Sequence, residues 1–119
     1  MKRIILLAFL CTTTLVMAQR INHVQEAIAN YDYEAALTLI AKEKPTIPLL
    51  LQKGKAQRGL GMNTEALSTY QEIITNDTAN TRAYIEAAEC CRSLAKYQQA
   101  LKYYEQALDL NPENKYVRI

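Results

Sequence analysis

The sequence predicts an all-α fold, a solenoid of about three antiparallel helix pairs. The first observation is an internal repeat, because Ala66 and Leu67 recur 34 positions later as Ala100 and Leu101, and a fixed period of this length indicates a repeat architecture. The second is that apolar side chains within each copy follow helical spacing. The third is that short turn-forming segments separate the helical stretches.

Residues 1–18 are interpreted as a signal peptide rather than as part of the solenoid. A basic start at Lys2 and Arg3 is followed by an apolar run, and small or branched residues precede Gln19, which is the pattern of an export signal. An uncleaved anchor would need about 20 apolar residues, and a lipidated Cys11 would need a small residue before it, where Leu10 stands. The remaining alternative is an N-terminal helix that only resembles a leader.

The charge balance argues against nucleic-acid binding. The chain has 14 Lys and Arg against 12 Asp and Glu, and removal of Lys2 and Arg3 with the leader leaves the two signs equal. A nucleic-acid binder needs a surplus of basic residues to displace counterions from phosphates. Half of the residues are apolar, which argues against a disordered chain.

The first repeat, residues 19–46, is predicted to be degenerate. Its first helix is expected at about 20–30, with Val24, Ala27 and Ile28 facing inward, and its second helix begins in the segment 33–37. Four residues are missing relative to the later copies, about one helical turn, and Lys44-Pro45 ends the second helix early.

The second and third repeats are predicted at 47–80 and 81–114. A turn rich in glycine and asparagine spans 59–63, and either Asn63 or Thr64 is expected to cap the following helix. In the third copy Ala95-Lys96 leaves room for a tight turn, and Asn111-Pro112 must end the last helix. Residues 115–119 are interpreted as the start of a truncated repeat or a tail. Either a partner covers the last apolar face of the solenoid, or the chain is the front part of a longer architecture.

The last two copies resemble the tetratricopeptide repeat (TPR) family, which has 34-residue helix pairs with small residues where helices cross. The third copy carries the expected residues Tyr84, Ala88, Tyr97, Ala100, Tyr104, Ala107 and Pro112, and the second carries Leu50, Gly54, Gly61, Ala66, Tyr70 and Ile73. The second copy departs from the family pattern at Lys53, Gln57 and Thr78. The resemblance implies a right-handed solenoid, and we expect contacts of Gly54 with Ala66 and of Ala88 with Ala100, since closely crossing helices need small residues.

The resemblance also implies a concave groove, lined by the first helix of each pair, that binds a peptide or protein segment. The candidate binding residues are Gln52, Lys55, Arg58, Arg82, Glu86 and Glu89. Further positions expected to face the groove are Asn22, Gln25, Ile28, Ala29, Leu51, Ile85, Arg92 and Ser93. The basic members would pair with carboxylates of the partner. The family's carboxylate clamp is doubtful here, because Ile21 stands at its first lysine position, and a solvated face without a ligand is the alternative.

No catalytic or metal-binding pattern accompanies this surface. The single histidine, His23, is expected to pack on the inward side of the first helix, and Cys90-Cys91 to be one buried and one partly covered structural residue. Glu86 and Glu89 share a helix face and favour a recognition surface over acid–base chemistry. The sequence contains neither a phosphate-binding loop nor a nucleophile elbow, so no cofactor or metal is expected.

Together these features predict a non-enzymatic protein–protein interaction module, an exported scaffold or adaptor of the periplasm or the cell exterior. Two alternatives remain open at this level. One is a self-associating structural solenoid, a homo-oligomer built through the open C-terminal end. The other is a helical appendage of a larger envelope assembly or of an enzyme.

Overall fold

The computed structural model of the chain describes residue 16 and residues 18–113. Most of the predicted signal peptide 1–18 and the whole of 115–119 therefore lie outside the described residues. Within the described part, every regular element is a helix, and none of these helices combines the length and the apolar character needed to cross a bilayer.

Six helices follow one another along the described chain. They are α1 at 18–29, α2 at Tyr33–Ile40, α3 at Ile47–Gly59, α4 at Asn63–Asn76, α5 at Thr81–Ser93 and α6 at Tyr97–Leu110. From α2 onward each helix packs chiefly on its neighbours in sequence, as expected of a solenoid in which each unit contacts only the adjacent ones. The predicted all-α solenoid of about three helix pairs is confirmed.

Two clusters of apolar side chains form most of the core. The larger one joins α3, α4, α5 and α6 and includes Tyr70, Ile73, Ala87 and the two repeat-defining alanines, Ala66 and Ala100. The smaller cluster joins α1, α2 and α3 and comprises Val24, Ile28, Ala36, Ile40, Leu49 and Ala56. Because α3 contributes to both clusters, it connects the degenerate first pair to the rest of the molecule.

Three helices begin with a polar side chain that caps the first turn. The side chains of Asp32, Thr46 and Asn80 accept hydrogen bonds from the backbone N–H three residues on, which satisfies a donor that has no partner inside the helix. The prediction that Asn63 or Thr64 caps α4 is wrong. The helix already begins at Asn63, and Met62 takes the cap position without a side-chain bond.

The turn inside each pair has the same geometry, and it explains where α4 begins. Tyr31, Gly61 and Ala95 occupy equivalent positions with positive φ angles of 60°, 75° and 59°. In the second pair the N–H of Gly61 bonds to the Arg58 carbonyl and the N–H of Met62 to the Gln57 carbonyl, the two bonds of a Schellman motif. The new helix starts directly after this motif, so its cap position falls on Met62, whose side chain forms no capping bond. The equivalent position of the first pair holds Asp32, which does cap its helix.

In two of these turns the residue with the left-handed backbone conformation, Tyr31 or Ala95, is not glycine. We expect Ala95→Gly to raise the free energy of unfolding by about 1 kcal/mol, because the steric penalty of the left-handed conformation is removed. Gly61→Ala, the matched reverse change, should lower it by a similar amount. Urea denaturation followed by circular dichroism measures both, and a destabilising Ala95→Gly would contradict this account.

The predicted close contact of Gly54 is with a different residue than expected. A Cβ atom on Gly54 would lie 2.7 Å from Cε1 and 2.8 Å from Oη of Tyr70, so this ring, and not Ala66, fills the space beside the glycine. Ala66 is fully buried in the larger cluster. The physical reason for a small residue is thus the close approach of the hydroxyl end of the Tyr70 ring to the helix backbone.

One departure from the family pattern has a clear structural solution. Gln57 stands where apolar residues are usual, and it is 7% exposed. Its Oε1 accepts a hydrogen bond of 2.6 Å from the hydroxyl of Thr69, which is 5% exposed. Since a buried polar group without a partner is destabilising, Thr69 supplies the partner that makes Gln57 tolerable between α3 and α4.

Candidate functional site

A cavity of about 270 Å³ opens between α3 and α5, with α4 beneath it. It is lined by Leu51, Gln52, Lys55, Arg58, Tyr70, Arg82 and Glu86. Helical spacing explains this grouping, because residues three or four apart lie on one face and the two helices present their matching faces to the same space. Five of the six candidate binding residues are therefore brought together, and Glu89 is the exception.

Arg58 and Glu86 form the fixed part of the cavity wall. Nη1 of Arg58 on α3 donates to a carboxylate oxygen of Glu86 on α5, and the two side chains are 31% and 18% exposed. Burial lowers the pKa of Arg58, but the attraction of the Glu86 carboxylate outweighs it and the net shift is upward. This pair ties the second repeat to the third, and a ligand would meet an arginine already held in place.

The other two cations of the cavity are more accessible. Arg82 reaches the second oxygen of Glu86, with Nε 3.4 Å from Oε1, yet its side chain is 67% exposed. Lys55 is exposed on α3, and no ion pair to it is found among the described residues. Three basic groups thus face one carboxylate, which leaves a net positive charge suited to an anionic side chain or terminus.

Glu89 lies one turn further along α5 and outside this cavity. Its carboxylate accepts a hydrogen bond from the hydroxyl of Tyr104 on α6 and one of 2.8 Å from Nη2 of Arg92 on its own helix. Burial and the bond to Glu89 raise the pKa of Tyr104 to about 12. Glu89 therefore links α5 to α6 within the third helix pair.

Tyr70 forms the floor of the cavity, a role that sequence reasoning missed. Its repeat position indicated packing alone, and packing is substantial, because only 1% of the residue is exposed. The cavity nevertheless includes it. Burial, followed by the nearby Glu86 carboxylate, raises its pKa, so the phenol stays protonated under ordinary conditions. The small residue facing it, Gly54, is the sequence signal that marks this position.

In the first pair the structure corrects two expectations. His23 is exposed, lining a small cavity with Arg20 and Lys42, because the buried stripe of α1 runs through Val24 and Ile28 and a neighbour in sequence points about 100° away. Ile28 is expected both to face inward and to line the groove; it is 6% exposed and belongs to the core, so the first expectation is confirmed and the second is wrong. The expected polar positions of this helix are exposed, namely Asn22 and Gln25, together with Ala29.

The adjacent thiols are both structural. Cys90 and Cys91 are each 0% exposed, so the expectation that one is only partly covered is wrong. Burial raises the pKa of Cys90 to about 11, only partly offset by Arg58, and burial also raises that of Cys91. Neither thiol has the exposure or the depressed pKa of a reactive cysteine.

We expect both thiols to resist alkylation by iodoacetamide at neutral pH until the chain unfolds. The free energy of unfolding should also fall between about pH 9 and 11, because the thiols ionise first in the unfolded state, which then binds fewer protons than the folded one. Mass spectrometry of labelling against urea concentration measures the first effect. Labelling well below the unfolding transition would contradict the burial, and Cys90→Ala should reduce the fall in stability at high pH.

The described residues contain no group of three or more His, Cys, Asp or Glu side chains placed to hold a metal ion. The cavity offers one cation held by an ion pair, two exposed cations, one carboxylate, an amide and a phenol around an open space. Such groups are chemically able to bind and orient a polar segment.

Comparisons with known proteins agree with this architecture. Residues 81–114 match the family model of the tetratricopeptide repeat. Human tetratricopeptide repeat protein 6 is 30% identical over 89 residues, which amount to 75% of this chain and to 16% of that protein. The chain therefore spans a small part of this curated relative.

Solved structures show the same fold at low sequence identity. The crystal structure of PcrH in complex with the chaperone binding region of PopB is similar with a TM-score of 0.78 and 18% identity, covering 87% of this chain and 86% of that one. The NMR structure of the first TPR domain of human RPAP3 has a TM-score of 0.76 and 20% identity, covering 82% and 80%. The TPR resemblance is supported for the third repeat, and the solenoid fold for most of the chain.

Proposed function

We propose that this chain is a non-enzymatic protein-binding module that holds an extended, acidic segment of a partner in the cavity between α3 and α5. The observation that carries the proposal is the surplus of basic groups there, with Lys55 and Arg82 accessible beside the fixed Arg58–Glu86 pair. A rigid helical scaffold displays such groups with little loss of conformational freedom on binding.

The size and position of the cavity support a side chain rather than a whole domain as the bound element. A volume of about 270 Å³ accommodates a few polar side chains, and the α3–α5 side is open for a peptide backbone to run past. A complex of PcrH, which shares the fold, with the chaperone binding region of PopB is an example of a solenoid of this kind with a bound partner segment.

We expect the double variant Lys55→Glu with Arg82→Gln to lose most of its capture of partner proteins, because the accessible attraction for carboxylates becomes repulsion. Both positions are exposed, so the fold should be retained. The measurement is pull-down by the immobilised protein from an extract of the source cells, quantified by mass spectrometry.

The matched control is Lys42→Gln with Lys102→Glu, which changes the net charge equally at exposed positions outside the cavity. Capture by the control should equal that of the unmodified chain. An unchanged set of partners for the cavity variant, with intact circular dichroism, would remove the cavity as the binding site.

The second part of the proposal is that the chain is exported. It would then act as a scaffold or adaptor in the periplasm or at the cell exterior. It rests on the basic start, apolar run and small-residue boundary of the first 18 residues. N-terminal sequencing of the protein purified from its source tests it, with Gln19 expected as the first residue. A chain that keeps Met1 and stays in the cytoplasmic fraction would contradict it.

A further inference from the structure

The outer face of α6 exposes apolar side chains whose counterparts one repeat earlier are covered. Leu101 is 41% exposed, whereas Leu67, 34 positions before it, is 5% exposed. Tyr104 is half-buried, whereas its counterpart Tyr70 is 1% exposed. The two helices are alike in sequence, so the difference comes from what lies against them.

The covering element of the earlier repeat is α5. Its residues Ala83, Ala87 and Cys90 belong to the same buried cluster as Leu67 and Tyr70. Two of these three residues are alanines, so the backbone of α5 approaches α4 closely and the larger side chains of α4 fill the space. The repeat itself therefore specifies the shape of a helix that fits the exposed face of α6.

The charged residues repeat in the same way. Arg58 bonds to Glu86 of the helix that follows its own pair, and its side chain is 31% exposed. Its counterpart Arg92 bonds to Glu89 of its own helix and is 64% exposed. A helix packed on α6 that carries a glutamate at the position equivalent to Glu86 would therefore bring a carboxylate to Arg92, as Glu86 does for Arg58.

We propose that the face formed by α5 and α6 is a docking surface for an amphipathic helix of another protein. This docking helix carries a small residue, a glutamate three positions later and a second small residue directly after the glutamate. In α5 these positions are Ala83, Glu86 and Ala87. The small residues of the partner pack on Leu101 and Tyr104, and its glutamate pairs with Arg92. This surface is separate from the cavity of the proposed function.

Stacking of a second copy end to end fits this face poorly. The described part of α1 exposes Asn22, His23, Gln25 and Glu26, while its apolar Val24 and Ile28 are buried. A polar helix of this kind does not offer the small apolar stripe that α5 presents to α4. A helix from a different protein is therefore the occupant that the surface favours.

The probe is a synthetic, fluorescently labelled peptide with the sequence of α5, 81–93, with alanine at both cysteine positions and Ser93→Lys joined by a lactam to Glu89 to hold the helix. Its binding to the full chain is followed by fluorescence anisotropy and light scattering. We expect saturable binding of one peptide per chain, weakened about tenfold or more by Leu101→Asp, as for a central apolar contact.

A charge exchange tests the ion pair. Arg92→Glu should weaken binding of the peptide, and the peptide carrying Glu86→Lys should restore it on that variant alone. Lys55→Glu should leave binding unchanged, so failure here and failure of the cavity proposal are distinguishable. Leu101→Ala gives a second, milder variant, and circular dichroism verifies that each variant is folded.

Three results would overturn the proposal. One is the absence of binding at millimolar peptide. Another is binding that Leu101→Asp does not change. The third is a dimer of the chain by light scattering that Leu101→Asp dissolves, which would assign the face to a second copy.

Discussion

Tyr70→Ala should lower the free energy of unfolding by about 3–5 kcal/mol, the range for removing a large buried ring. The ring is 1% exposed and lies in the main core cluster with Leu67 and Ile73. Because small domains are stable by only about 5–15 kcal/mol, the variant should be close to unfolding. Urea denaturation followed by circular dichroism at 222 nm measures the change.

The chain offers a matched control one repeat later. Tyr104→Ala removes the same atoms from an equivalent but half-buried position, and we expect a loss of about half as much or less, in proportion to the smaller buried area. Equal losses at the two positions would contradict the packing described for Tyr70.

The same contact predicts an unusual result for Gly54→Ala. Alanine normally stabilises a helix interior by about 1 kcal/mol relative to glycine. Here the added Cβ would press on the ring of Tyr70, so we expect a net loss of stability. In combination with Tyr70→Ala the added methyl group should have no such penalty, and the two changes should be far from additive.

Glu86→Ala is the second change with a large expected effect. It removes the carboxylate that Arg58 and Arg82 share and leaves Arg58 partly buried without a counter-charge. Loss of one partner of a fully buried pair costs about 3–5 kcal/mol, and partial exposure reduces this to about 1–2 kcal/mol here. Thermal unfolding at low and at high salt measures the loss and its electrostatic share.

A double-mutant cycle isolates the ion pair. Arg58→Ala with Glu86→Ala should be less damaging than the sum of the single changes, because no partly buried arginine is left at position 58 without its carboxylate. Glu89→Ala is the comparison on the same helix. Its ion-pair partner Arg92 is 64% exposed and loses little, so its cost should come mainly from the lost hydrogen bond of the Tyr104 hydroxyl. Additive effects of Arg58→Ala and Glu86→Ala would show that the pair does not join the two repeats.

Much of the fold follows from the sequence because one periodic signal constrains all of it. The 34-residue offset fixes which faces are equivalent, and helical spacing fixes which of them are buried, so Ala66 and Ala100 lie where the pattern predicts. The same phase brings Gln52, Lys55 and Arg58 to one face and Arg82 and Glu86 to the face opposite.

What the pattern misses depends on side-chain directions and on the short first pair. Whether Gly54 meets Ala66 or the ring of Tyr70 is decided by a rotamer, which spacing does not encode. Backbone geometry at Gly61 sets where α4 starts and thereby puts Met62 at its cap position. The predicted inward orientation of His23 is wrong because no intact copy of the repeat fixes which face of α1 is buried. Neighbouring residues of a helix point about 100° apart, so an error of one position in the register turns a buried side chain outward.

The brevity of α2 has a consequence for how the molecule opens. With 8 residues against 14 in α4 and in α6, it has fewer positions from which side chains can pack on the neighbouring helices. Nearest-neighbour stacking makes stability a sum over adjoining units, so we expect local opening to begin at the N-terminal pair. Such opening should leave the cavity between α3 and α5 intact, because neither of these helices belongs to that pair.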